Sequence, residues 1–356
     1  MKKFLFMFWC AVLALPFMGV KGAAYLLGGI LVSYGLYFLL VNAFGRIKMP
    51  VIPLNTKLFT IALIAVALTL PLFMKDYYTD VAILAGIYMI LALGVNIIVG
   101  FSGLLHLGFA AFYGLGAYSN ALLTTSLGLG FWSALACTLV FTSAAGFLLA
   151  FPALRLRGDY LAIVTLGFGE IIRLVLNNWD SLTHGPNGIS NIPSPFLAGF
   201  ELSSLTHYYY LVFCFVMIAA FIVKRVQHSR TGRAWLSIRE DETAAEAMGI
   251  NTRKYKFMAL SFGAFWAGLA GALFASKMHF VSPESFSFME SVFIVCMIIL
   301  GGIGSIPGVI LGSLILVLLP EMLREVQLYR MLALGIGLVL MMIFRPQGLI
   351  SKRVES

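Results

Sequence analysis

About a dozen stretches of roughly 15 to 22 residues in this chain carry few or no charged side chains, and a helix needs roughly 20 apolar residues to cross a bilayer. They fall at residues 4–20, 23–44, 58–74, 81–99, 103–124, 131–151, 160–177, 208–224, 257–276, 288–304, 305–320 and 330–344. A membrane barrel would instead alternate apolar and polar residues along strands of about ten, and no such alternation occurs. The 356 residues are 61% hydrophobic and 11% charged, against about 25% charged in soluble domains. That leaves too little polar surface to cover a globule in water. The fold class is therefore all-α, a polytopic transmembrane helical bundle of about 10–12 spans, several of them broken by Gly or Pro.

The formal charge of +9 is not read as a nucleic-acid footprint, because the basic residues lie in the connections between spans. Cytoplasmic connections are enriched in Lys and Arg. Lys2, Lys3, Arg46, Lys48, Lys57, Arg155, Arg157, the eight basic residues of the 224–256 connection, and Arg345, Lys352 and Arg353 all fall on one side of the expected spans. The 178–207 connection falls on the other side and contains no Lys or Arg. Both termini are thus expected in the cytoplasm, with Lys21 and Lys277 among the exceptions. Met1-Lys2-Lys3 and the apolar run behind it also fit a signal peptide, but a second span follows almost at once and favours a retained helix. Cys10, Cys137, Cys214 and Cys296 are far apart in apolar stretches, so neither a metal site nor a disulfide framework is indicated.

Within the cytoplasmic connection, Ser237-Ile238-Arg239-Glu240 reads as a capping box. Glu240 to Glu242 place negative charge in a first turn, Ala244, Ala245 and Glu246 favour helix, and Gly249 suits a left-handed cap. A single helix of about eleven residues is expected between two spans, with Ile238, Asp241, Ala245 and Met248 on one face. Such an element is either a docking rod or a solvated connector. On the opposite side, Gly185, Pro186, Asn187 and Gly188 form a turn-rich stretch that either meets a partner or simply connects.

Two segments interrupt the helical pattern. One contains Gly100, Ser102, Gly103, His106 and Gly108; the other contains Gly301, Gly302, Gly304, Pro307 and Gly308. Non-helical backbone at membrane depth is tolerated only within protein or beside water, and paired interruptions mark transport pathways. A tight interhelical turn near the surface is the other reading. Rows of small residues at Gly304, Gly308 and Gly312, at Gly263, Ala267, Gly271 and Ala275, and at Ala110 and Gly114 read as packing faces. Glu170 and Arg173 are three apart and can pair on one helix face as a structural ion pair. His106 is a gate, a substrate contact or a packing histidine.

No catalytic constellation is present: HExxH, CxxC and GxSxG are absent, and no Gly-Lys dipeptide exists to build a nucleotide-binding loop. No cofactor is indicated. An apolar bundle with a cytoplasmic rod and no motor suits a permease driven by a separate ATPase; a secondary carrier or channel is the reading from another class.

Several motifs carry a family resemblance. They are Leu93 to Gly100 with Gly103 to Phe109, Leu156 to Arg173, Gly185 to Ile189, Thr231 to Gly249, and Gly301-Gly302 with Arg345-Pro346-Gln347-Gly348-Leu349. In these the chain resembles the branched-chain amino-acid permease family of bacterial ABC importers, in its larger permease type, over roughly 80–350. The resemblance implies a core at 81–350 behind variable helices at 1–80, in the bacterial inner membrane. It further implies partners: a homologous second permease, two ATP-binding subunits and a periplasmic substrate-binding protein. Residues 237–249, with Glu242-Thr243-Ala244-Ala245 and Gly249 as a loose ABC-importer loop, become the coupling element within 224–256. Leucine, isoleucine or valine is the implied cargo; urea or another small amide or amino acid is the alternative within the family.

Overall fold

The computed structural model describes residues 67–71 and 75–322, apart from 154, 155, 157, 198, 199 and 203, together with residue 64 and positions 335, 336, 339 and 347–350. The spans expected at 4–20 and 23–44 lie outside the described residues, as do Lys21, most of the terminal basic residues and, apart from positions 335, 336 and 339, the span expected at 330–344.

The helices follow in chain order as α1 (Asp76–Val95), which runs into a π-helical turn at Asn96–Phe101, α2 (Phe109–Thr125), α3 (Phe131–Ala153), α4 (Asp159–Asn178) and the single turn α5 (Asp180–Thr183). After them come α6 (Leu205–Gln227), α7 (Arg230–Glu240), α8 (Glu242–Ala247), α9 (Thr252–Met278), α10 (Phe288–Gly301) and α11 (Ile306–Met322). Among the described residues, five helical stretches are long and apolar enough to cross a membrane: Asp76–Phe101, Phe131–Pro152, Tyr160–Asn178, Leu205–Gln227 and Thr252–Met278. α10 and α11 are shorter apolar helices. The expected helical membrane fold is what the structure has.

α1 and α9 form the centre. Their most apolar windows are 78% and 67% buried, against 22% for α4. α9 owes this place to small residues, because without a side chain two backbones can approach closely. A Cβ on Gly116 of α2 would sit 2.6 Å from Gly268 Cα of α9, and one on Gly146 of α3 would sit 2.6 Å from Ala264 Cβ. Gly263 and Gly271 seat Ile98 and Tyr113 in the same way. The rows expected as packing faces therefore pack, except that Gly304 precedes α11 and lies in the turn before it.

The two ends of the bundle differ in chemistry. At one end, β1 (Ile189–Ser190) pairs antiparallel with β4 (Phe280–Val281), and β2 (Phe196–Leu197) pairs with β3 (Phe200–Glu201). Lys277, one of the charge exceptions, lies in the last turn of α9 on the way to this end, its side chain 6% exposed and its Nζ 2.7 Å from Asp80 Oδ1. The neighbouring carboxylate removes the need for this cation to reach the basic side. The other end carries α7 and α8.

Replacing Gly116 by Leu should separate α2 from α9 and cost roughly 1–3 kcal/mol by overpacking, read as a lowered unfolding temperature in detergent. Gly167→Ala, where no atom lies within 4 Å of the added carbon, should leave that temperature unchanged.

Candidate functional site

The two interrupted segments, about two hundred positions apart in sequence, meet at the α7 end of the bundle. The first begins where α1 widens into the π-helical turn, frayed and recapped by Ser102, whose hydroxyl donates to Ile98 O at 2.7 Å. Gly103 follows with φ +70°, and a Cβ there would press on Arg239 Cγ at 2.8 Å. The second is the turn from α10 to α11, where Gly302 (φ +114°) and Gly304 (φ +85°) take conformations that side chains resist. Gly304 N–H donates to Asn96 Oδ1 at 2.9 Å, and Gly304 O accepts from Gln227 Nε2 at 3.2 Å. Leu349 and Ile350 N–H donate to Leu300 O and Gly301 O. Gly301 packs on Gly308 across the α10–α11 hairpin.

Arg239 of α7 closes this junction. Its Nη1 donates to Gly100 O at 2.6 Å and lies 3.2 Å from where a Cβ on Gly304 would be. A cationic donor thus satisfies a carbonyl that the π-helical turn leaves outside the regular helical ladder. Ser102, Gly103, Gly304 and, through the hairpin, Gly301 and Gly302 therefore belong to one site. The remaining members of the first segment turn elsewhere. Leu107 N–H donates to Thr165 Oγ1 at 3.1 Å and Gly108 packs on the α4 backbone at Thr165 and Gly169. His106 is buried against Phe109 and Phe112, ring centroids 6.1 and 5.6 Å away, and among the described residues neither ring nitrogen has a hydrogen-bond partner.

The expected rod at 237–249 is corrected by the structure. α7 begins at Arg230, capped by Ser229 Oγ on Gly232 N–H, and ends at Glu240. Ser237 is interior and its hydroxyl donates back to Arg233 O at 3.0 Å, the usual fate of a mid-helix serine. Asp241 is extended (φ −155°, ψ 111°), and its side chain caps α8 through Ala244 N–H at 3.0 Å. Both Ser237 and Asp241 fit the capping rule; the carboxylate, followed directly by Glu242-Thr243-Ala244-Ala245, takes the role. Gly249, with φ +83°, terminates the element, its N–H on Glu246 O at 2.9 Å.

The proposed common face also divides. Ile238 and Ala245 are buried against the body, whereas Met248 is 83% exposed. Trp235 anchors α7 by donating from Nε1 to Tyr255 O at 2.8 Å. Lys256 pairs with Glu242 at 2.6 Å, and Thr252 Oγ1 donates to Glu246 Oε1 at 2.5 Å. The α7–α8 pair is thus fastened to the start of α9, and Glu240, Met248 and Gly249 are left outward.

At the opposite end, Gly185, Pro186 and Asn187 form a 3₁₀ turn and Gly188 (φ +66°) leads into β1. A Cβ on Gly188 would strike Val281 O. The loop is clamped to the 279–286 segment with Pro186 and Asn187 exposed. Glu170 and Arg173 of α4 do pair, with Arg173 Nε and Nη2 each 2.9 Å from Glu170 Oε2.

Sequence reasoning missed Asn96 and Gln227 as site residues and counted Arg239 only as a basic charge. A lone Asn inside a 26-residue apolar helix was the available signal.

A protein family described as branched-chain amino acid transport system / permease component matches residues 77–344. The chain belongs to this family. It is 46% identical over 317 residues to the high-affinity branched-chain amino acid transport system permease protein LivM of Escherichia coli K12, covering 83% of this chain and 75% of the relative. LivM of Salmonella typhimurium LT2 gives the same identity and coverage. LivH of Escherichia coli K12, a permease protein of the same named system, is 26% identical over 302 residues, covering 79% and 96%. No solved structure matches the chain. In this permease the family match opens in the first turn of α1 and contains Asn96, Gly100, Gln227, Arg239 and Gly304 of the junction, but not Leu349 and Ile350.

The capping assignment is testable by hydrogen exchange. Asp241→Ala should destabilise α8 by roughly 0.5–2 kcal/mol, seen as faster exchange at the amides of residues 244–247. Ser237→Ala should leave those amides as they are.

Proposed function

We propose that this chain is a permease subunit of an ABC importer that carries branched-chain amino acids through the bacterial inner membrane. A separate ATPase supplies the energy. The observation that carries the reading is the α7–α8 element: a capped helix pair fastened to the bundle by Trp235, Lys256 and Thr252, with Glu240, Met248 and Gly249 facing outward. The absence of a nucleotide-binding motif in the sequence and the names of the permease relatives support the same reading. Two relatives of one named system in Escherichia coli both resemble this chain, which favours a homologous second permease as its partner. Two ATP-binding subunits and a periplasmic binding protein complete the proposed assembly.

In this reading the α7–α8 end and both termini face the cytoplasm, and the Gly185–Gly188 loop faces the periplasm and the binding protein. Ser237, Glu240, Glu242, Ala244, Ala245, Glu246 and Gly249 form or support the ATPase contact. Residues 81–350 form the core, behind N-terminal helices at 1–80. The two interrupted segments, with Ser102, Gly103, Gly301, Gly302 and Gly304, line the inner part of the pathway, and His106 and Gly108 pack behind them against Phe109, Phe112 and α4. Arg239 gives that arrangement a mechanism. A push on α8 moves α7, and Arg239 carries the motion to Gly100 and to the Gly302–Gly304 turn. The turn glycines lack side chains that resist such movement, so the pathway opens or closes there rather than in the packed centre of α9.

Replacing Glu246 and Gly249 together by Arg removes the Thr252 bond and places two cations on the α8 end. Co-purification of the ATP-binding subunits should be lost while membrane insertion is retained. Normal co-purification and ATP-driven uptake with that variant would remove α8 from the coupling role.

A further inference from the structure

α4 is the least buried of the long apolar helices, yet it carries two ionisable side chains near its middle. Glu170 is the twelfth of its twenty residues, about 2 Å from the helix midpoint at about 1.5 Å per residue. The Glu170 and Arg173 side chains are about one third exposed, 33% and 32%. Beside them Ile163, Ile171 and Leu174 are 64%, 60% and 49% exposed, on a continuous outward face with Gly167. An ion pair placed there cannot face lipid tails without a large solvation cost, and charges at this depth are found against protein or a water-filled cavity. The described part of this chain does not cover the face. Something else must.

The chemistry of the face specifies what it would receive. Both Arg173 nitrogens that bond Glu170 converge on a single carboxylate oxygen, Oε2. Among the described residues, Glu170 Oε1 and Arg173 Nη1 make no hydrogen bond, so one anionic acceptor and one cationic donor remain side by side. The pair is neutral in sum, and a lone cation or anion would meet one repulsive partner. A zwitterion meets none: its ammonium donates to Oε1 and its carboxylate accepts from Nη1, each a charge-assisted bond. Ile163, Ile171 and Leu174 then offer apolar wall for an aliphatic side chain.

We propose that Glu170 and Arg173 form a station for the zwitterionic head of an aliphatic amino acid, on an α4 face that lines a water-filled seam between this chain and its partner permease. The proposal rests on the importer reading above and deepens it. It makes the pair a substrate contact rather than a packing device. It also assigns the pathway's middle to α4, between the inner glycine segments and the periplasmic loop. Gly108, packed on α4 at Thr165 and Gly169, joins the station to the interrupted segments.

The test uses the complete importer in proteoliposomes, with binding protein outside and ATP inside. Glu170→Gln, Arg173→Gln and the double variant should each lower leucine uptake about tenfold or more, the loss expected when a charge-assisted bond to ligand disappears. Arg173→Lys should recover part of the rate. A double variant that assembles and transports at the wild-type rate overturns the station. Should these variants fail to assemble, Ile171→Cys decides, in a background with Cys10, Cys137, Cys214 and Cys296 replaced by Ser. Its thiol should react with a membrane-impermeant methanethiosulfonate. Leucine should slow that reaction, whereas 4-methylpentanoate and isoamylamine, each lacking one charge, should not. A thiol that never reacts in any nucleotide state, or that reacts equally with and without leucine, overturns the proposal. Failure of the wild-type assembly to move leucine would count against the importer reading itself, whereas wild-type uptake with an indifferent double variant removes the station alone.

Discussion

A backbone carbonyl released from its helix inside a membrane protein must find a donor, because the surroundings offer none. In this permease the carbonyl of Gly100 finds it in Arg239, at 2.6 Å. Other contacts at the α7 end follow from that bond. Gly103 must lack a side chain because Arg239 crosses it. Gly304 lies against the same guanidinium and returns its N–H to Asn96. Gln227, at the end of α6, holds the Gly304 carbonyl. Arg239, with Asn96 and Gln227, therefore ties α1, α6 and the α10–α11 turn into a single joint. Such a joint is inexpensive to move in some directions and costly to break, since a buried polar group left without a partner costs roughly 1–3 kcal/mol.

In the proposed mechanism the rest of the bundle is the stiff part, and the joint is where it moves. α9 presents Gly263 and Gly271 to the backbones of α1 and α2, and Gly268 to Gly116 of α2 and the Thr142 side chain of α3, and interiors packed this closely transmit strain. α4 is the counterpart. It touches the centre through Gly169 and Thr165, leaves most of its length uncovered, and carries its ion pair on the flank of that free face. A stiff core with one loosely held, partly polar helix is the construction that the proposed amino-acid station on α4 requires.

Much of this was legible in the sequence, for definite reasons. Apolar length set the spans at α1, α3, α4, α6 and α9, because the bilayer fixes what a helix needs. Small-residue spacing marked the α9, α2 and α11 faces, and the Glu170–Arg173 pair followed from a spacing of three. The α7–α8 element was legible as an element but not in its boundaries. Ser237 and Asp241 are equally good caps by composition, and only the packing of Trp235 on Tyr255 decides that the first helix starts earlier and runs through Ser237. The convergence of the two glycine segments could not be read at all. Nothing in local pattern says that Gly100 and Gly304 share a neighbour, or that this neighbour is one of the eight basic residues of the connection. Charge counting treats those eight alike; tertiary structure singles out Arg239.

The central claim is that this bundle has no motor of its own and moves its cargo only when another subunit burns ATP. Radiolabelled leucine uptake into proteoliposomes tests it most directly, with the chain alone and with its partner permease, ATP-binding subunits and binding protein. Uptake confined to the complete assembly, dependent on ATP, is the result the account predicts. Uptake by the chain alone, driven by an ion gradient and indifferent to ATP, would contradict it.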